Sequence, residues 1–376
     1  MSNAQYQVMV IDPVQGNVTG AFAGPDFYEL RYNRALDDVG SIAFTVPSTA
    51  QNRAAFSLDC FLEVYRTDSS NPGVLQLEDT YLARLFQRFR EGNEEKYLVG
   101  GYSLNHLLKR RVVDPAADGS ATDGYSRKNG PADLIIHDYV NQQMGATAPI
   151  TRQFPNFSVG SVLSIGVPIS AALRYQYLYD AVFAISVPGQ VDFIINRNGG
   201  ANTIMQIQQI GVDRTATTNY PIAPWMGFVP MRGNLQDPNF VIDRQNERTI
   251  VFVLGQGQGL TRAVSTITAK GYLDSPFNRW EMTLDQNAIL KTDTLGLGAT
   301  GVGALYQYAP KKNFVCKING DEGGNTYRED WDLGDTVTAI WDELQSDLRI
   351  WGVSIAVNSQ GEQITLDVRT SQRGVV

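Results

Sequence analysis

Histidine and cysteine are nearly absent from this chain of 376 residues, with two of each. His106 stands in Leu104-Asn105-His106-Leu107, and His137 stands beside Asp138. Neither belongs to an HExxH pair or to a Cys/His cluster with zinc spacing, so no metal site is expected. Without a nucleophile motif such as GxSxG near either, triad hydrolysis finds no support, and His137 reads as a histidine on a helix surface. The cysteines, Cys60 and Cys316, are far apart and each lies in an apolar strand-like run. They are expected as buried free thiols, which fits assembly in a reducing compartment. Long apolar runs are missing too, since no window approaches 18 uncharged apolar residues. Met1-Ser2-Asn3-Ala4-Gln5 lacks a basic stretch followed by an apolar one, so neither a standard secretion signal nor stable membrane insertion is expected. A basic surplus is also lacking. With 31 basic and 39 acidic residues the net charge is −8, which argues against a dedicated phosphate-binding surface or duplex binding.

What the chain does have is strand chemistry. Its 43% hydrophobic content, 35 glycines, 17 tyrosines and 16 phenylalanines favour turns and strands over a helical bundle. A single core rarely grows past ~250 to 300 residues, so two to four modules are expected. Ile42, Phe44 and Val46 alternate with Ala43 and Thr45 until Pro47, and Cys60, Leu62 and Val64 alternate with Phe61, Glu63 and Tyr65, as half-buried strands do. Between them, Ser48 to Ser57 suits a short capped helix. Glu91-Gly92-Asn93-Glu94 turns a hairpin between Thr80 to Arg90 and Glu95 to Gly100. Lys109-Arg110-Arg111 ends a short helical turn over Ser103 to Leu108, where basic residues serve a helix C-terminus or a solvated face.

The texture changes near residue 110. Asp114 to Gly130 reads as a loop. Pro131 to Gly145 reads as an amphipathic helix with Pro at its start, Gly past its end, and Ile135, Ile136, Tyr139 and Val140 on one stripe. A second helix is predicted over Ala171 to Ile185. Strands follow at Val191 to Asn196, Thr203 to Ile210, Thr249 to Leu254, Arg262 to Ala269 and Trp280 to Leu284, and Asp285 to Lys312 reads as a connecting excursion. Near the end, Gly334 turns the chain into a strand from Thr336. An apolar hairpin then runs through Ile350, Trp351, Val353, Ile355 and Val357, reverses at Asn358-Ser359-Gln360-Gly361, and returns through Ile364, Leu366 and Val368.

Three patterns invite a chemical reading and fail it. Gly255-Gln256-Gly257-Gln258-Gly259 lacks the GK[ST] ending and precedes a strand, so it reads as a strand-to-strand loop and not a phosphate cradle. Asp321-Glu322-Gly323-Gly324-Asn325 misses the calcium-loop spacing and reads as a turn. The adjacent carboxylates Glu94-Glu95, Asp37-Asp38 and Glu329-Asp330 point to opposite faces of an extended strand, so no glycosidase dyad is implied. Trp225, Trp280, Trp331, Trp341 and Trp351 lie mostly in or beside strand-like runs, where core or interface packing is the default. No catalytic, cofactor or metal residue is singled out, and no enzyme activity is expected.

The order of segments resembles the siphovirus baseplate-hub and tail-tip family, which is related to the myovirus tail hub. The residues that carry the likeness are Ser41 to Pro47, Phe61 to Arg66, Gly101 to Leu108 with Arg110 to Val113, Val212 to Thr215, Gly255 to Gly259 with Arg262, Arg279 to Glu281, and Trp331 to Val337. The resemblance implies a mainly β (α+β) fold with two tail-tube-type β-barrel domains. The first is expected over residues 1–110, a helical insertion over 111–200, the second barrel with its excursion over 201–312, and a C-terminal β module completing a barrel over 313–376. It further implies a homotrimer that imitates sixfold geometry at the tail tip of the virion, assembled in the host cytoplasm. The implied partners are the distal tail protein ring, the tail tube, the tape measure protein and the central tail fibre. DNA would pass through the lumen without sequence-specific binding, and an acidic lumen would let it slide. Many tail-tip proteins continue into a peptidase, lysozyme-like or fibre domain, whereas this chain stops at Val376, so wall degradation or host binding is expected of a partner. The other readings are a receptor- or carbohydrate-binding virion protein and a cell-wall hydrolase.

Overall fold

Alternation of apolar and polar residues builds the first strands. The computed structural model describes residues 4–67, 73–118, 124–215, 226–227, 235–318, 327–341 and 344–370. β1 (Tyr6–Ile11) turns Tyr6, Val8 and Val10 inward and pairs with β2 (Val18–Ala23) and β5 (Phe61–Thr67). β3 (Glu29–Ala35) and β4 (Ser41–Pro47) run antiparallel, burying Leu30, Tyr32, Ile42, Phe44 and Val46. The predicted crossing helix is α1 (Ala50–Ala55), capped by the Thr49 hydroxyl, which accepts from the Asn52 amide at 3.0 Å. The predicted hairpin is β6 (Leu75–Glu91) with β7 (Glu94–Ser103), joined by Gly92-Asn93. Residues Leu104–Arg110 form a 3-10 turn, and each of its basic residues, with Arg111 after it, has an internal use. Lys109 lies 4.4 Å from the centre of the Tyr179 ring, Arg110 pairs with Asp59 at 3.2 Å, and Arg111 covers Phe154 at 3.9 Å.

The insertion comprises β8 (Ser126–Pro131), α2 (Ala132–Met144), β9 (Phe157–Val159), β10 (Pro168–Leu173), α3 (Leu178–Gly189), β11 (Asp192–Arg197) and β12 (Thr203–Gln208). α2 matches its amphipathic pattern, with Ile135, Ile136, Tyr139 and Val140 all buried. The helix expected over Ala171 to Ile185 starts later. Ala171, Ala172 and Leu173 instead pair with Lys128, Arg127 and Ser126. Alanine favours helix, but these backbone groups are the only ladder partners of β8 among the described residues, and Tyr175 at φ +49° breaks the chain direction before Leu178. The insertion core also takes Ile11, Phe61 and Leu82 from the outer face of the first strands, which seats it on the sheet.

The remaining strands are β13 (Met226–Gly227), β14 (Leu235–Asp243), β15 (Ile250–Leu254), β16 (Val264–Thr268), β17 (Glu281–Asp285), β18 (Lys311–Ile318), β19 (Thr336–Trp341), β20 (Leu344–Asn358) and β21 (Gly361–Thr370). The segment read as an excursion contains α4 (Thr294–Gln307), whose N-terminus is capped by Asp293 through the Gly296 amide at 2.9 Å. Residues 201–312 are therefore spread over three sheets. β12 joins β11 and β9, β13 and β14 join the large sheet, and β15 to β17 form a three-stranded sheet covered by α4.

The architecture is mainly β. Among the described residues, thirteen strands form one sheet along the order β14-β18-β21-β20-β3-β4-β7-β6-β5-β1-β2, with β19 on β20 and β13 on β19. No sheet closes into a barrel among the described residues. The reason lies in β3: one edge pairs with β4 and the other with β20, from Leu30 opposite Val357 to Ala35 opposite Gly352. With both edges used, β3 cannot meet β2 to close the N-terminal half. One hydrophobic core accordingly runs from Tyr6 to Val99 and on through Tyr327 to Val368. The final hairpin reverses as its sequence predicts, with Asn358 opposite Gly361 and Gly361 at φ +117°, a conformation that strains any residue with a side chain.

Candidate functional site

Where β3 meets β20, inward positions that alternation would give to apolar side chains carry charge. Arg34 on β3 donates to the Tyr327 hydroxyl at 2.6 Å and to Asp332 Oδ1 at 2.7 Å. Tyr327 in turn donates to Glu78 Oε2 at 2.8 Å, Tyr32 donates to the same oxygen at 3.2 Å, and Arg328 holds Glu78 Oε1 at 2.9 Å. Next to them, Arg66 on β5 grips Glu362 on β21 through contacts of 2.8 and 3.0 Å, and Tyr6 donates to the same carboxylate. Both side chains of that pair are 3% exposed. Burial works against the Arg66 cation, but Glu362 and Tyr6 outweigh it and raise its pKa. Burial likewise pushes the Tyr6, Tyr32, Tyr81 and Tyr327 hydroxyls well above their usual range, so they stay protonated donors. Buried charges cost several kcal/mol each unless fully paired, so the seam fixes one register between segments about 300 residues apart.

A second set of charges joins the insertion to the sheet. Arg349 on β20 takes Asp192 on β11 through contacts of 2.8 and 2.7 Å, and donates also to the carbonyls of Ile210 and Gly334. Asp335 accepts from the Val212 amide and from Arg214 at 2.7 and 2.6 Å. Arg197 on β11 pairs with the buried Glu63 of β5. Asn105 bridges the parts by donating to the Asp38 carbonyl and accepting from the Ile195 amide.

The residues weighed as chemistry fall elsewhere. His106 stacks on Tyr102 with ring centres 4.8 Å apart, and His137 on α2 lies 3.3 Å from Asp138. No group of His, Cys, Asp and Glu could hold a metal ion among the described residues. The Gly255 to Gly259 loop joins β15 to β16, and Arg262 ties it down by donating to the carbonyls of Gly255 and Leu254 and to Asp285. Cys60 is buried, and burial pushes its thiol up to about 11. Cys316 falls on β18. Trp331 is fully buried and Trp351 nearly so, whereas Trp280 is 46% exposed. The Asp321 to Asn325 turn and Trp225 lie outside the described residues, as do the side chains of Trp341 and Cys316.

Sequence reading missed the buried charges. The available signal was a lone charge inside an apolar run, as Arg349 stands between Leu348 and Ile350. Of the adjacent carboxylates, Asp37 does share a buried site, but with Asp192 and not with Asp38.

The outward face around the seam is different. Across β4, β3, β20 and β21, one row runs Ser41, Asn33, Ser354, Thr365 and the next runs Ala43, Arg31, Ala356, Gln363. These small, mostly neutral side chains line a shallow trough of about 310 Å³. The charges at its margin neutralise one another along their own strands: Arg31 with Glu29 at 2.5 Å, and Arg369 with Asp367 at 3.0 Å.

The tail protein from Neisseria meningitidis has the same fold, with a TM-score of 0.60 at 13% identity over 98% of this chain and 97% of that one. The prophage MuSo2 43 kDa tail protein from Shewanella oneidensis matches with a TM-score of 0.60 at 10% identity, over 98% and 99%. The prophage tail protein gp18 from Listeria monocytogenes follows at 0.53 and 10%, over 99% and 96%. No curated protein matches the chain significantly. The family described as siphovirus ReqiPepy6 Gp37-like protein matches residues 8–368, which takes in both halves of the large sheet, the seam between them and the insertion. The chain belongs to that family.

Proposed function

We propose that this protein is the baseplate hub of a long-tailed phage. Three copies form a ring at the tail tip that joins the tail tube or distal tail protein ring to the central tail fibre and surrounds the DNA exit channel. The observation that carries this reading is the double sheet: β1 to β7 and β18 to β21 are two antiparallel halves joined edge to edge through β3 and β20. Two tube-type modules per chain would let three chains present six to a sixfold ring while offering threefold symmetry on the other side. Barrel closure then belongs to the assembly, where neighbouring copies supply the pairing that β3 withholds from β2.

The trough across β4, β3, β20 and β21 is the surface we assign to the lumen. Its neutral rows and self-paired charges give a polyanion little to hold, so DNA slides past, and the tape measure protein occupies the same space before ejection. The location is the tail tip of the virion, with assembly in the host cytoplasm. Mass measurement in solution tests the reading. A trimer, or a ring formed with a distal tail protein, supports it; a monomer that degrades cell-wall material overturns it.

A further inference from the structure

Three buried ionisable groups from three parts of the chain meet, two of them acids and one a base. Asp37 lies in the corner between β3 and β4, Asp192 opens β11, and Arg349 sits on β20, at 3%, 2% and 4% exposure. Asp192 and Arg349 account for one anion and one cation. Asp37 is the second anion. Its Oδ1 accepts from the Phe193 amide at 2.7 Å, and its backbone is held at φ +53°. Ser186 and Gln190 at the end of α3, with Trp351, close a cavity of about 20 Å³ around the three. Of the flanking charges, Asp38 takes the Tyr179 hydroxyl at 2.8 Å, Arg369 acts on Asp38, and Asp335 pairs with Arg214 beyond Gly334. None of these supplies Asp37 with a second cation inside the cavity.

Two carboxylates and one guanidinium leave a net negative charge with little access to water. Such a site lowers its energy by holding a proton between the carboxylates. We propose that a single proton shared by Asp37 and Asp192 closes the joint between the helical insertion and the large sheet, and that losing it loosens the insertion. Burial first, and the neighbouring Asp192 second, raise the Asp37 pKa well above the usual carboxylate value. A group that holds its proton more tightly in the closed form stabilises that form fully in acid. The stabilisation is lost as pH rises through the closed-state value. The chain thus carries a joint that rising pH weakens and acid strengthens, independent of its place in any assembly.

Amide hydrogen exchange on the full chain tests this. The Phe193 and Ile210 amides donate directly to the two carboxylates, and Val251 on β15 serves as a remote control. After correction for the chemical exchange rate, opening at Phe193 and Ile210 rises by up to about tenfold per pH unit until the proton is gone, while Val251 shows no such rise. In Asp37→Asn the amide oxygen still accepts from Phe193 and the amide nitrogen donates to Asp192 in place of the proton. Opening then becomes flat with pH and no larger than in the unaltered protein. The proposal is overturned if Phe193 and Ile210 follow Val251 in the unaltered chain, or if Asp37→Asn keeps the original slope. Should the variant not fold, the comparison within the unaltered chain decides alone.

Discussion

The large sheet and the small α4-covered sheet solve the same problem in opposite ways. The large sheet buries Arg66, Glu78, Arg349 and Glu362 within or beside a core running from Tyr6 to Val368, and so accepts desolvation cost in return for one register. The small sheet has a core of Val251, Val253, Ile289, Leu297, Ala304 and Leu305, with no charged group among them. Its paired charges, Arg244 with Glu247 and Asp274, lie outside that core, and of the three only the Glu247 side chain is buried, at 5% exposure. The lesson is that alternation alone places a short local sheet, while a sheet assembled from the two ends of a chain needs interactions that fail when misaligned. Exposure differs as well. Leu260, Leu273, Phe277 and Trp280 all stand out from the small unit, so it has little apolar burial to spare.

The comparison breaks hardest at Glu78. Glu78→Ala leaves the Tyr327 and Tyr32 hydroxyls without their acceptor and Arg328 with only the Leu77 carbonyl and Asp332, and costs the large sheet about 3–5 kcal/mol, read as a lower denaturant midpoint. Hydrogen exchange at β15 should meanwhile change little; if it rises as much as exchange at β3, the two sheets are a single cooperative unit. Leu297→Ala does the converse. A cavity costing roughly 2–3 kcal/mol opens under α4, so exchange at β15 and β16 accelerates while β3 and β20 keep their protection.

Acid gives a smaller effect, confined to the large sheet and the turn beside it. Burial, with Arg110, Lys109 and Arg84, lowers the His106 pKa, so the folded form binds this proton less tightly than the unfolded chain does. Its stabilisation is complete above the unfolded value of about 6.5 and is lost as pH falls through that value toward the folded one. His106→Gln removes this share of the acid sensitivity, measured as thermal midpoint against pH; an unchanged profile would show that His106 titrates normally. The smallest effect belongs to the hairpin tip, where Lys96→Ala removes the partner of the exposed Glu91 and the cation over the Tyr28 ring, and lowers the midpoint only slightly.

These differences follow what the sequence made legible. Local features came through: the Thr49 cap, the Gly92-Asn93 reversal, the stripe on α2 and the Gly361 hairpin all depend on residues within a turn of one another. α4 came through only as a helix-compatible start, because Gly296, Gly298, Gly301 and Gly303 made the segment read as a connecting excursion. Packing explains their presence: a Cβ at Gly301 would lie 2.4 Å from Ile267 Cγ1, so the helix can approach the sheet only without one. The β3 to β20 pairing left no periodic trace, since each strand looks the same whichever neighbour it takes. The joint at Asp37 was equally hidden, because its partners lie on β11 and β20.

An image of the intact particle tests the central claim most directly. It should show three copies of this chain at the tail tip, each giving both halves of its large sheet to one ring around the DNA path. Six copies in that ring, or three that contribute only one half each, would contradict the account.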